Sequence, residues 1–446
     1  MSAGYHHWQC ARVVPGCDRA AQPQRRRARE NHRFGVWMPT TQHTDPRLTR
    51  RGVIVAAAAG AGALGLAACA GGSADPSQNG SAKGSSTPTG TESPTVTVTS
   101  AHGTDAVLPD DTLTVTVANG SAVSVKATGP DGVAFTGTLD DTTWKPDRAF
   151  WPGTEYTVSV DVMTLQNQET TLTQKITTAS VETLVYEPVY SQSDLGVAMP
   201  VYVQFSDTID LPEHRAAIEK QASVTVTPEQ PGSWGWVEDR ILMWRPKDYW
   251  APGTTVDVHL AFAGVKVGDQ QYLADDTNYS ISIAGTKVEL VCDLGSQHMD
   301  VYQDGSLLRT CPVSTGKVGH ETYSGTKVIM QKYDTFTMDS STYGVPADSA
   351  EGYKTEVPNC QRITWSGEFL HSASWSVGSQ GVAPTSHGCT NLSPDDAAWL
   401  MGVTHIGDPV VFNGTTPGGA YLAFQPGDGI GCWTYDWDGW QKQSAL

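Results

Sequence analysis

Charge is scarce in this chain and cysteine is unevenly spread. Only 17% of the 446 residues are charged, where about 25% is usual for a soluble domain. There is no cationic excess: 29 Lys and Arg stand against 47 Asp and Glu, a formal net charge of −18. Nucleic-acid binding is thereby disfavoured, because nothing is in surplus to neutralise phosphates. No Cys falls between positions 70 and 291, so that stretch holds no disulfide. No Cys-x-x-Cys pair occurs, which removes the usual zinc-finger and redox spacings.

The acidity is not uniform. Residues 1–68 contain ten Arg, no Lys and only Asp18, Glu30 and Asp45, a net of +7. The remainder therefore carries −18 minus 7, or −25. Arg47-Leu48-Thr49-Arg50-Arg51 is followed by seventeen uncharged residues, Gly52 to Ala68, rich in Ala, Gly, Val and Leu. That run is short for a membrane span of about 20 residues and has the form of a signal-peptide h-region. It ends Leu66-Ala67-Ala68-Cys69, small residues before a cysteine, as lipoprotein processing requires. Cys69 is thus the expected lipidation site and the expected anchor to the membrane. Arg50 and Arg51 fit a twin-arginine export signal and equally a general basic n-region. Residues 1–37 show no periodic apolar pattern, and Met38 offers an alternative start. Gly71 to Pro94 is Gly, Ser, Thr and Pro with almost nothing apolar, a flexible tether whose r.m.s. reach is about 25–30 Å.

One pattern repeats at an offset of one hundred residues. Trp144-Lys145-Pro146 precedes Pro152-Gly153-Thr154, and Trp244-Arg245-Pro246 precedes Pro252-Gly253-Thr254. Alternating apolar positions follow each copy: Tyr156, Val158, Val160, then Val256, Val258, Leu260. Short Thr- and Val-rich runs between turn residues, in units of about 90–100 residues, predict two immunoglobulin-like β-sandwiches. The repeated Trp is expected in each core. No catalytic constellation appears in this half, so spacing is its expected role.

From about Thr286 the character changes. Lys287 to Val291, His298 to Tyr302 and Leu307 to Val313 are expected strands, with a hairpin turn at Asp304-Gly305. Chemistry is concentrated in His371-Ser372-Ala373-Ser374-Trp375 and Thr385-Ser386-His387-Gly388-Cys389-Thr390-Asn391. An ordinary thiol is mostly protonated at neutral pH, and a neighbouring imidazole can take its proton, giving an imidazolium and thiolate pair. Gly388 allows close backbone approach, so amides near 388 and 389 are candidates for an oxyanion hole. Zinc held by His371, His387 and Cys389 is the competing reading.

The stretch from His371 to Asn391 resembles the signature of the L,D-transpeptidase (YkuD) family: an upstream His, a loop, then Ser-His-Gly-Cys and Asn two residues on. Pro312-Val313-Ser314-Thr315-Gly316-Lys317 resembles the strand and loop that open that catalytic domain. Met338 to Pro346 is similar to the active-site lid of mycobacterial members, and two immunoglobulin-like domains behind a lipobox match their architecture. The resemblance implies a mainly β chain: leader 1–68, lipidated Cys and tether 69–94, sandwiches 95–182 and 183–285, and a YkuD-type β-rich catalytic domain with C-terminal tail at 286–446.

The same resemblance implies residue roles. Cys389 would attack the third residue of a peptidoglycan stem tetrapeptide and expel D-Ala. His371 would be the base, oriented by the Ser372 carbonyl, with His387 as a neutral partner. The amides of His387, Gly388 and Cys389 would stabilise the oxyanion. Tyr353, Met338 and Tyr343 would line the substrate site, with Trp375, Ser386 and Asn391 in support. An amine from a second stem would then resolve the thioester as a 3→3 cross-link. No metal or diffusible cofactor is implied, and carbapenems are implied as covalent ligands. Trp433, Tyr435, Trp437 and Trp440 are expected to pack the tail onto the catalytic domain, the alternative being a sugar platform. Cys292, Cys311, Cys360 and Cys432 leave three complete disulfide pairings open.

Overall fold

A computed structural model describes residues 92–343, 345–349 and 352–446. The leader, Cys69 and most of the tether lie outside the described residues. The described chain is mainly β: three bodies in succession, each built on antiparallel pairing with strong in-out alternation.

The first body packs two four-stranded sheets. One runs Thr95–Thr99, Leu113–Ala118, Thr143–Pro146, Gly137–Asp140; the other runs Ala134–Phe135, Gly120–Thr128, Glu155–Thr164, Glu169–Thr177. Tyr156, Val158, Val160 and Val162 point inward from one strand and meet Trp144, Phe135 and Phe150. The second body repeats the plan with the sheet Tyr186–Val189, Val201–Phe205, Ile241–Pro246, Gly232–Val237 and the sheet Ala222–Thr227, Thr255–Leu260, Thr277–Ser282. The strand Glu182–Leu184 joins it by parallel pairing with Gln271–Leu273. Trp144 and Trp244 are both buried core residues.

The repeated Pro-Gly has a geometric cause. Gly153 (φ +60°) and Gly253 (φ +78°) both turn in the left-handed region. Each then donates its N–H across the body, to Ala179 O at 3.0 Å and Ala284 O at 2.9 Å. A side chain at that φ is strained, which is why glycine recurs there.

The third body carries the five-stranded sheet Ser306–Pro312, His298–Gln303, Val288–Asp293, Pro409–Asn413, Gly325–Val328. Its companion runs Gln331–Asp339, Lys354–Arg362, Phe369–Ser372, Thr390–Leu392. Between the sheets lies a core of Val288, Leu290, Met299, Val301, Leu370, Leu392 and Phe412. The expected hairpin is present, with Asp304 (φ 49°) and Gly305 (φ 80°) forming its turn. The helix Pro394–Val403 starts at Ser393, whose side chain accepts the Asp396 N–H, with Asp395 and Asp396 in its first turn. Such a cap stops the strand Thr390–Leu392 abruptly.

The C-terminal aromatics correct the expectation from sequence. The helix Trp437–Gln441 lies on the second sandwich, where Trp440 is fully buried and its Nε1–H donates to Ser233 O at 3.0 Å. Trp433 Nε1–H reaches Ala198 O at 2.7 Å, and the Trp236 N–H donates to Gln443 O at 2.9 Å. The tail also meets the catalytic body: Ile430 and Cys432 share a core with Val328 and Met330, and Asp428 O accepts the Trp365 N–H at 2.9 Å. The decisive partner is Arg245, whose guanidinium lies 4.4, 5.5 and 5.4 Å from the rings of Trp433, Trp437 and Trp440. Cation–π contact of a buried guanidinium favours those faces over a purely apolar wall.

Candidate active site

Strand pairing brings the two halves of the motif together. Phe369–Ser372 and Thr390–Leu392 are parallel neighbours in the register Leu370↔Thr390, His371↔Asn391, Ser372↔Leu392. Residues two apart on a strand share a face. Cys389 immediately precedes the second of these strands, two positions before the partner of His371. The opening loop seals the other flank. Ser314 and Asn391 exchange both backbone hydrogen bonds at 3.0 Å, and Thr315 O accepts the N–H groups of Thr385 and Ser386.

His371 is 3% exposed. Its Nδ1–H donates to Ser372 O at 2.9 Å, leaving Nε2 as the acceptor nitrogen. Burial lowers its pKa from the ordinary 6.5 to about 4, the Ser372 carbonyl opposing only in part. Cys389 is 8% exposed, and burial pushes its thiol up to about 12. Both shifts favour the uncharged forms. The resting pair is thus neutral thiol and neutral imidazole, rather than the preformed imidazolium and thiolate that residue types alone suggest. The thiol proton points at Gly367 O, 3.5 Å away.

The catalytic loop is held from several directions. Gly388 adopts φ +116°. Its N–H donates to Ser386 Oγ at 3.1 Å, and its carbonyl accepts the Thr322 hydroxyl at 2.7 Å. Ser386 Oγ–H in turn donates to Cys389 O at 2.5 Å. The Gly388 amide is therefore already engaged. The Cys389 N–H donates to no group among the described residues, which leaves it available to a developing oxyanion.

Other expected residues divide into two groups. His387 stacks edge-on against His320 (4.6 Å between ring centroids) and faces Tyr353 at 5.7 Å. These three line a cavity of about 300 Å³ together with Glu321, Tyr323, Ser340 and Glu368. Met338 is buried in one apolar cluster with Cys389, Cys360, Val357 and Phe369. Trp375, by contrast, is 61% exposed and lies on the His371 side, 6.0 Å between centroids. Asn391 Nδ2–H donates to Ser376 Oγ at 3.2 Å, bracing the turn that carries Trp375. The expected lid borders the cavity through Ser340 and Val345; the side chain of Tyr343 and all of Gly344 lie outside the described residues.

Sequence reasoning did not single out His320, Thr322, Lys327 or Glu368. Each is an isolated polar residue 21–69 positions from Cys389, with no spacing signal; a lysine inside the apolar run Lys327-Val328-Ile329-Met330 is the one visible oddity. Among the described residues, no group of three or more His, Cys, Asp or Glu is arranged to hold a metal ion. Cys292, Cys311, Cys360, Cys389 and Cys432 are buried free thiols.

Comparison with known proteins decides the family. The L,D-transpeptidase catalytic domain (YkuD) matches residues 287–412, and a bacterial Ig domain matches residues 104–266. L,D-transpeptidase 2 of Mycobacterium tuberculosis is 33% identical over 364 residues, 79% of this chain and 85% of that protein. The chain belongs to the L,D-transpeptidase family. A second relative, L,D-transpeptidase 1 of Mycobacterium tuberculosis, is 37% identical over 216 residues, covering 48% of this chain and 79% of its own. Among solved structures, an LD transpeptidase in complex with imipenem is 34% identical, covering 50% of this chain and 94% of that one, with a TM-score of 0.43. In this transpeptidase, an acyltransferase, the matched catalytic region contains the whole of the His371 to Asn391 constellation.

Proposed function

We propose that this transpeptidase makes 3→3 peptidoglycan cross-links through a thioester on Cys389. The observation that carries the reading is the His371 tautomer: with Nδ1–H committed to Ser372 O, Nε2 is left as the nitrogen that accepts a proton. Attack forms an S–C bond to the carbonyl of the third stem residue as the thiol proton passes to Nε2. The tetrahedral oxyanion is met by the Cys389 N–H. Collapse breaks the bond to the terminal D-Ala, whose amine takes the proton from His371. An amine of a second stem then forms the new amide, breaks C–S, and returns a proton through His371 to sulfur. Because the resting pair is neutral, charge develops only as the oxyanion forms, where preorganised donors stabilise it most.

His387, Tyr353, Met338 and Tyr343 belong in this scheme to the substrate site, and Ser386, Asn391 and Trp375 to its support. The boundaries 95–182, 183–285 and 286–446, the cleavable leader and the lipid at Cys69 complete the proposed layout. Lipidation would tie the enzyme to the membrane from outside and let the two sandwiches carry it into the wall. Among the described residues no helix is long and apolar enough to cross a membrane.

Purified protein incubated with disaccharide tetrapeptide is expected to release D-Ala and yield dimers with 3→3 linkage by mass spectrometry. Cys389→Ala should do neither while keeping its fold, and should take up no imipenem. Release of D-Ala by the alanine variant would sink the proposal.

A further inference from the structure

Behind the catalytic loop lies an ion pair that the proposed acyl transfer does not use. Lys327, on the strand Gly325–Val328, is 0% exposed, and Glu368, which precedes the strand Phe369–Ser372, is 5% exposed. Lys327 Nζ donates to Glu368 Oε2, and the Tyr323 N–H donates to Oε1 at 2.9 Å. The ammonium also lies 4.2 Å from the centroid of the Phe412 ring. Burial opposes the charge on both partners, pulling Lys327 down and Glu368 up, while each counters the other's shift. Such a pair seldom adds net stability over apolar residues of similar volume.

Its position is specific. Glu368 directly follows Gly367, whose carbonyl receives the Cys389 thiol. A Cβ on Gly388 would lie 3.7 Å from Glu368 Cγ, so the carboxylate's stem rests against the catalytic loop. The Glu368 N–H is itself fixed by Thr364 Oγ1 at 2.8 Å.

We propose that Lys327 and Glu368 are positioning residues for Cys389: their pairing pins the Gly367 carbonyl against the thiol and sets two opposite charges beside the sulfur, so that neither acts on it alone. The inference rests on Cys389 being the nucleophile. Cys360 packs in one cluster with the thiol and Arg362 acts on its charge, both from Lys354–Arg362, while His371 lies on the adjacent strand and His387 in the same loop; Asp428, Cys292 and Tyr323 approach the pair itself. Glu368 raises the thiol pKa and Lys327 lowers it.

The test is carbamidomethylation of Cys389 by iodoacetamide at pH 8 on the full chain, read from its peptide by mass spectrometry. Glu368→Gln keeps the shape and leaves Lys327 unopposed, and should react about tenfold faster; Lys327→Met leaves the carboxylate unopposed and should react about tenfold slower, a shift of about one pKa unit each way. Opposite directions support the inference, and either variant decides alone if the other does not fold. Folded variants that react at the wild-type rate, or that change in the same direction, overturn it. Imipenem uptake by wild type and by Cys389→Ala, measured alongside, reports separately on whether Cys389 is the nucleophile.

Discussion

Ser386 and Cys389 are joined by a hydrogen bond of 2.5 Å from the serine hydroxyl to the cysteine carbonyl, and the same hydroxyl accepts the Gly388 N–H at 3.1 Å. One side chain thus closes the catalytic loop on itself and fixes the backbone on either side of the Gly388–Cys389 peptide. Ser386→Ala leaves a buried N–H and a buried carbonyl each short of a partner, at about 1–3 kcal/mol. Acylation by imipenem is expected to slow at least about tenfold, since an oxyanion donor is worth about 3 kcal/mol. A melting temperature lowered by a few degrees with no change in acylation rate would show that the clamp is structural only.

His371 is expected to contribute acid sensitivity. Its pKa is about 4 in the fold against 6.5 ordinarily, so between those values the unfolded chain holds the proton and the folded chain does not. The histidine's contribution to stability is expected to be fully present above pH 6.5 and to be lost as pH falls towards 4, by up to about 3 kcal/mol. Denaturant unfolding of wild type and His371→Gln over that window isolates this contribution, because the buried carboxylates are common to both. Wild type should lose more on acidification than the glutamine variant; parallel curves would remove the histidine from the account.

Gly388 is constrained by its backbone. Space is not what demands glycine there, since an added Cβ would meet Glu368 only at ordinary contact distance. The demand comes from φ +116°, where an L side chain costs of order 1–3 kcal/mol. Gly388→Ala should therefore either lower the midpoint of chemical unfolding or relax the loop and abolish acylation. Wild-type stability together with wild-type acylation would contradict the backbone argument.

These residues were legible in sequence for a physical reason: the loop Ser386 to Asn391 is contiguous, and its chemistry is local. The sandwiches were legible because Trp144 and Trp244 recur with their Pro-Gly turns at fixed spacing, and two-fold alternation is the strand signature. Lys327, Glu368, Thr322 and His320 were not, because the fold brings them to the loop from 21–69 residues before Cys389 and no periodicity encodes such an approach. The thiol–imidazole charge state was hidden for a related reason. Residue types suggest an ion pair, whereas burial at 8% and 3% exposure keeps both groups neutral.

The C-terminal tail straps two bodies. Four aromatics in the final residues of the chain suggest packing for the catalytic domain, yet Trp440 occupies a site on the second sandwich. There Gly235 leaves room for the ring: a Cβ at 235 would come within 2.8 Å of Trp440 Cζ2. Arg245 covers the ring's face, and Gln443 O completes the edge by accepting the Trp236 N–H. Trp440→Ala removes a fully buried indole and should cost about 3–5 kcal/mol. Gly235→Ala should displace the same ring from the opposite side and destabilise the same body. Because Ile430 and Cys432 share a core with Val328 and Met330, loosening the tail also reaches the strand that carries Lys327. Hydrogen exchange should therefore rise together in Gly232–Val237 and Gly325–Val328 in both variants. Exchange confined to the last helix would mean that the tail is a passive cover and not a strap across two bodies.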